Sequence, residues 1–162
     1  MRIATYNVEW FNNLFDDDGR LIENDSWSGR WDVTKAQQTA GLGIVFAAMD
    51  ADAVMIIEAP DTSTNRNSRA ALEHFAERFG LRAREALTGF SNDTQQEIAL
   101  LYDPDVVTAV HDPKGDDLVP SFNTELRMDV DVDAHPDPIR WSKPPLEVAL
   151  ATASGPVRLI GV

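Results

Sequence analysis

The sequence predicts an α/β fold, and three observations carry that prediction. Two segments have helical periodicity, and between and after them lie short runs with strand character. Their order is strand, helix, strand, helix and then several strands, which points to α/β rather than all-α or all-β. Apolar residues make up 43% of the 162-residue chain, enough for one domain with a sizeable core.

Residues 2–8 (RIATYNV) alternate and carry β-branched and aromatic side chains, so they read as the opening strand. The polar stretch 12–30, with its Asp16-Asp17-Asp18-Gly19 turn signal, reads as a long loop. Loops of this length inside a compact domain usually carry function or are partly disordered. Residues 33–49 read as a helix with Ala36, Ala40, Ile44 and Ala47 or Ala48 on one face and Asp32 or Thr34 as N-cap. Gly41 and Gly43 weaken that helix and imply close packing against a neighbour.

Residues 53–57 (AVMII) are apolar on both faces, as in a central strand with parallel neighbours. In 66–79, Ala70, Leu72, Phe75, Ala76 and Phe79 recur at helical spacing, and Gly80 closes the helix. Strands follow near 82–87, 97–102 and 105–110. Residues 112–143 are polar and rich in Asp and Pro, with 127–133 alternating as an exposed strand would. The closing runs, 146–152 and 156–162, bracket Ala153-Ser154-Gly155 as a hairpin. The second run is still strand-like at Val162, so the fold reads as cut.

The formal net charge is −13, which repels phosphate backbones and disfavours broad nucleic-acid binding unless a divalent cation reverses the local field. The absence of cysteine removes disulfides and thiolate metal sites. The N-terminus turns polar too soon for a signal peptide, and no apolar run approaches the roughly 18 residues that span a bilayer. The expectation is a cytoplasmic protein without a membrane span.

Glu58 is the leading candidate for chemistry. It ends a buried apolar strand, where α/β folds place ligand-binding groups and where a carboxylate needs a cation or strong donor; the plainer alternative is a solvated strand end. Asn7 ends the first strand similarly and can donate and accept, although such an Asn is commonly a turn or cap residue. Asp129, Asp131 and Asp133 alternate like the start of a calcium loop. Ala134 stands at the obligatory Gly position and Arg140 at the closing Glu, which favours a solvated strand face. Trp10, Phe11, Trp27 and Trp31 flank the first loop, either as a stacking platform for a base, sugar or lipid or as core and loop anchors.

Ile3-Ala4-Thr5-Tyr6-Asn7-Val8-Glu9, followed beyond the first helix by Val54-Met55-Ile56-Ile57-Glu58, resembles the endonuclease/exonuclease/phosphatase superfamily, the deoxyribonuclease I-like fold. Ile98-Ala99-Leu100-Leu101-Tyr102-Asp103-Pro104 and Trp141-Ser142-Lys143-Pro144-Pro145-Leu146-Glu147-Val148 extend the likeness in collinear order. The resemblance implies a four-layer sandwich of two mixed β-sheets flanked by helices, with residues 1–162 as its N-terminal half. It implies a hydrolase that cleaves a phosphodiester or phosphomonoester with Mg²⁺ or Mn²⁺ held by Glu58.

In that reading Asn7 orients the phosphate or an acidic partner. Lys143 replaces a family arginine that contacts phosphate, supplying a point charge without the bidentate fork. Gln96 or Glu97 matches an acidic residue that orients the family's catalytic histidine. The substrate would be nucleic acid, a nucleotide, or a phospholipid or inositol phosphate. The resemblance puts the family's general-base histidine and its Asp-x-Asn and Asp-His pairs downstream of residues 1–162, and none of His74, His111 and His135 replaces the base, so the fragment alone is expected to be inactive. A missing C-terminal half or a second chain is the expected partner. The rival readings are a non-catalytic binding module that keeps the fold and a lipid or inositol-phosphate phosphatase.

Overall fold

The computed structural model describes residues 1–63, 65–90, 96–115, 126–139 and 143–162. Its organising element is β2 (Ala53–Pro60), apolar on both faces and therefore able to seed a core on each side. β1 (Ile3–Asn7) pairs with it in parallel, while β4 (Gln96–Tyr102) and β3 (Glu85–Thr88) extend the sheet antiparallel, in the order β1-β2-β4-β3. β2 is central as expected, but only one of its two neighbours is parallel.

Val54, Ile56, Ala99 and Leu101 face the helical layer. That layer consists of α1 (Lys35–Met49), α2 (Ser68–Arg78) and a 3-10 turn over Phe11–Leu14. Phe11, Phe46 and Phe75 form its centre, with edge-to-face ring pairs at 5.2 Å (Phe11–Phe75) and 5.1 Å (Phe46–Phe75). Such pairs add about 0.5–1.5 kcal/mol each beyond burial. On the other face Ala53, Met55, Ile98 and Leu100 pack on Val107, Leu146, Val148 and Leu150. These belong to a second sheet, ordered β5 (Val107–His111), β8 (Leu146–Thr152), β9 (Gly155–Gly161). The architecture is an α/β sandwich of helices, mixed sheet and second sheet. Where two mixed sheets were expected, the described part of the second is antiparallel throughout, and three layers are present among the described residues.

Thr34 caps α1, accepting from Gln37 N while the Gln37 side chain answers the Thr34 N–H. The inward face differs from the expected alanine stripe. Gln38, Thr39, Leu42, Gly43 and Phe46 are buried, and Ile44 is 71% exposed. Leu42 and Phe46 bury more area than alanines, and Gly43 lets the helix close on Phe79: a Cβ there would lie 2.2 Å from the ring. Gly41 meets nothing within 4 Å, so close packing holds at one of the two glycines.

The expected strand over 127–133 is also corrected. β6 (Leu126–Met128) stops early and pairs with β7 (Asp137–Ile139). The Asp129 carboxylate accepts from Asp133 N (3.1 Å) and Ala134 N (2.9 Å), and this local bonding displaces the ladder.

At the N-terminal end of β2, Asp52 accepts from Arg2 N and from Arg82, which also engages Asp50 and Asp103. These bonds, Arg82 foremost, hold the Asp52 carboxyl below the usual carboxylate range, and the same ion pairs raise the Arg82 guanidinium above its own. Among the described residues no helix is long and apolar enough to cross a membrane.

Candidate functional site

Strand alternation on β2 sends Ala53 and Met55 to the second sheet and Val54 and Ile56 to the helices. Continued unbroken, it would bury Glu58 among the phenylalanines. The chain avoids this with a bulge: Ile57 faces Ile98 and Ala59 faces Glu97, leaving Glu58 as the unpaired extra residue. Ala59 then occupies the helix-side core at 0% exposure, and the Glu58 carboxylate is turned elsewhere. The device requires φ +65° at Glu58, a left-handed conformation that costs a side-chain-bearing residue about 1–2 kcal/mol. Strain of this kind gathers where a side chain must be aimed. Glu58 therefore sits inside β2, at a bulge, rather than at a plain strand end.

The carboxylate is aimed at two groups. Gln96 Nε2 donates to Oε2 at 2.9 Å, and Lys143 Nζ lies 3.9 Å from Oε1, with both Glu58 and Lys143 about one-fifth exposed (21% and 20%). Gln96 opens β4; Lys143 enters from the segment before β8, so the contact joins the two sheets. Asn7 ends β1 in register with Ile57, and Val8 N donates to Ile57 O at 2.9 Å, which sets Asn7 beside the bulge with its side chain exposed. Asn7, Glu58 and Lys143 thus gather at one end of the sandwich. Trp141, Ser142 and Arg140 lie outside the described residues.

Of the Gln96/Glu97 alternatives, Gln96 reaches Glu58. Glu97 points inward at 3% exposure and accepts from Thr62 N at 2.9 Å. Burial pushes its carboxyl up; the Thr62 bonds oppose this and the Asp61 charge adds to it. Asp61 pairs with the buried Arg66, which also reaches Phe15 O (3.4 Å) and fixes the loop after β2. The sequence carried no sign of the Gln96 contact or of the bulge, since both depend on β2–β4 register.

The histidines lie elsewhere. His74 Nδ1 contacts Gly19 O at 2.9 Å, His111 packs edge-on to Phe90 at 4.9 Å, and His135 lies in the β6–β7 turn. Phe11 is core, whereas Trp10, Trp27 and Trp31 are exposed, so the two readings of these aromatics divide between them.

The donor at the bulge is an oxygen, the Glu58 carboxylate, and Asn7 adjoins it through the β1–β2 register. Such a donor suits Mg²⁺ or Mn²⁺, hard cations that keep several waters and take one or two protein carboxylates. Among the described residues Oε1 faces Lys143 at the long distance of 3.9 Å, a contact that a cation can replace. A separate acidic group, Asp129, Asp131 and Asp133, brings carboxylate oxygens within 4.8 Å of one another, but fully in solvent. No protein-family model, curated protein or solved structure matches the chain.

Proposed function

We propose that this chain carries part of a Mg²⁺- or Mn²⁺-dependent phosphoesterase with the deoxyribonuclease I-like sandwich. The observation that carries the reading is Glu58, a carboxylate held at positive φ in a bulge so that it faces a lysine and an amide instead of the core. A bound cation would polarise a phosphoryl oxygen and stabilise the leaving oxygen. Glu58 holds it, and Gln96 fixes the carboxylate rotamer by donating to Oε2. Lys143, released from Glu58, supplies a point charge to the phosphate, and the Asn7 amide orients it.

The reading assigns no general base to the described residues, because each histidine lies elsewhere. A further segment or a second chain supplies it. Supporting this, β1 pairs only with β2 and β9 only with β8 among the described residues. Between the two free edges opens an apolar groove of about 410 Å³, lined by Ile3, Met55, Ile57 and Leu159 among others. Such edges invite strand addition.

The test is calorimetric titration of Mn²⁺ into the chain and its Glu58→Ala variant, with hydrolysis of a generic phosphodiester followed in parallel. Saturable binding lost in the variant supports the reading, and equal binding by both overturns it. A second reading, a metal-free binding module, is favoured by the Lys143 contact, which already balances the Glu58 charge at 3.9 Å. Absence of Mn²⁺ binding by the parent chain selects it.

A further inference from the structure

The long loop between β1 and α1 builds a second surface at the same end of the sheet, and we propose that it is a stacking subsite for a nucleobase-type ring. The ring would be planar and heteroaromatic and would carry an amino group. Trp27 and Trp31 are 64% and 94% exposed, whereas Phe11 and Phe15 of the neighbouring segment are buried. The two indoles line a cleft of about 440 Å³ together with Gly29, Arg30 and Asp32. A core or anchoring role is excluded for side chains so open to water.

The loop is built rather than loose. Trp27 bridges Thr34, Ser28 N donates to Val33 O at 3.1 Å, and Asn13 Nδ2 donates to Ser28 O at 2.9 Å. Ser28 is fully buried. Gly29, at φ +108°, rests on the Trp10 ring, where a Cβ would come within 3.0 Å of the indole and 2.9 Å of Asn13 Nδ2. The backbone that carries the two indoles is therefore held in a fixed frame, which lowers the ordering cost of binding.

Charge selects the occupant. Arg30 is balanced by Glu9 at 3.0 Å, so the cleft offers flat faces and no net attraction for an anion. Asp32 at its lip is an exposed acceptor, suited to an exocyclic amine. A lipid surface is disfavoured, because insertion of the indoles would drag Asp32 into the headgroups of a membrane facing a chain of net charge −13. Base–aromatic stacking is open to any base, because every base has a π-face.

Chain connectivity sets this cleft at the Glu58 end of the sheet: Gly29 in its lining rests on Trp10. Trp10 is three residues beyond Asn7, at most about 11 Å of chain, and Asn7 is in register with Ile57. The inference deepens the phosphoesterase reading by naming a nucleotide-type substrate; only the attached phosphate rests on that reading.

The experiment titrates adenosine, and separately adenosine 5′-monophosphate, into the 162-residue chain while following tryptophan fluorescence. Saturable quenching by both is expected. Trp27→Ala and Trp31→Ala should each weaken it about tenfold, and Trp31→Phe should restore most of the loss. Circular dichroism checks that the variants keep the parent fold. No saturable quenching, or quenching by cellobiose or phosphatidylcholine vesicles in place of adenosine, overturns the proposal. So does sedimentation showing that a second copy covers the indoles. Glu58→Ala separates the two readings: adenosine binding that survives while Mn²⁺ binding is lost supports both. Adenosine binding by a chain without any Mn²⁺ response sinks only the phosphoesterase, and the reverse sinks only the subsite.

Discussion

Replacing Glu58 by glycine and by alanine, side by side, isolates the strained bulge. Both substitutions remove the carboxylate and its hydrogen bond from Gln96, a loss of about 1 kcal/mol. They differ in the backbone. At φ +65° alanine keeps the left-handed cost of about 1–2 kcal/mol and glycine does not. Glycine in turn loses about 0.5–1 kcal/mol more conformational entropy on folding. The net expectation is that Glu58→Gly is more stable than Glu58→Ala by about 0.5–1 kcal/mol, near 2 °C in Tm for a domain of this size. Urea unfolding with a shared m-value, together with scanning calorimetry, reads the difference. Neither variant should gain stability from millimolar Mn²⁺, whereas the parent should. An alanine variant equal to or more stable than the glycine variant would refute the left-handed bulge. A Mn²⁺-dependent rise in Tm retained by either variant would refute Glu58 as the ligand.

The other glycines and carboxylates give further tests. Gly43→Val drives a branched side chain into the Phe79 ring and should destabilise by about 1–3 kcal/mol, while Gly41→Ala, with nothing within 4 Å, should stabilise by about 1 kcal/mol; urea midpoints decide both. The Glu97 carboxyl is raised in the fold, chiefly by burial. The native state therefore binds the proton more tightly than the unfolded chain, and stability drains as pH rises above the ordinary carboxylate range. Glu97→Gln keeps an acceptor for Thr62, so its stability relative to the parent should climb between pH 4 and 7; a flat difference refutes the assignment. Asp52 has the opposite sign. Its carboxyl is lowered, so its contribution is complete at neutral pH and is lost as pH falls below the ordinary range and through the folded value. Asp52→Asn should be less stable than the parent at pH 7 and should converge with it in acid, as urea midpoints at pH 7 and pH 3 would show.

The order of elements was legible because it rests on local signals. The alternation of 2–8, the recurrence of Leu72, Phe75 and Ala76, and the hairpin signal around 153–155 each act over a few residues and appear in the fold, with Gly155 opening β9. Of the two cap candidates, Thr34 takes the role. What failed locally failed for a tertiary reason. The α1 stripe of small residues lost to Leu42 and Phe46 because the phenylalanine cluster they join comes from three separate segments. The run 127–133 has the period of a strand, yet Asp129 supplies its backbone partners locally and β7 pairs only with its first residues.

The candidate site divides in the same way. Glu58 and Asn7 could be singled out from the sequence, since a carboxylate closing an apolar run and a polar residue closing a strand are visible as residue types, whereas Lys143 was pointed to only by the family resemblance. That Glu58 turns out of the core, that Gln96 rather than Glu97 meets it, and that Lys143 reaches it from the other sheet could not be read from residue types. A one-residue slip in the β2–β4 register reverses which face every later side chain occupies. Sequence alone determined which residues could do chemistry and the order of the elements carrying them; register and sheet packing, set by contacts between distant segments, decided which of them meet.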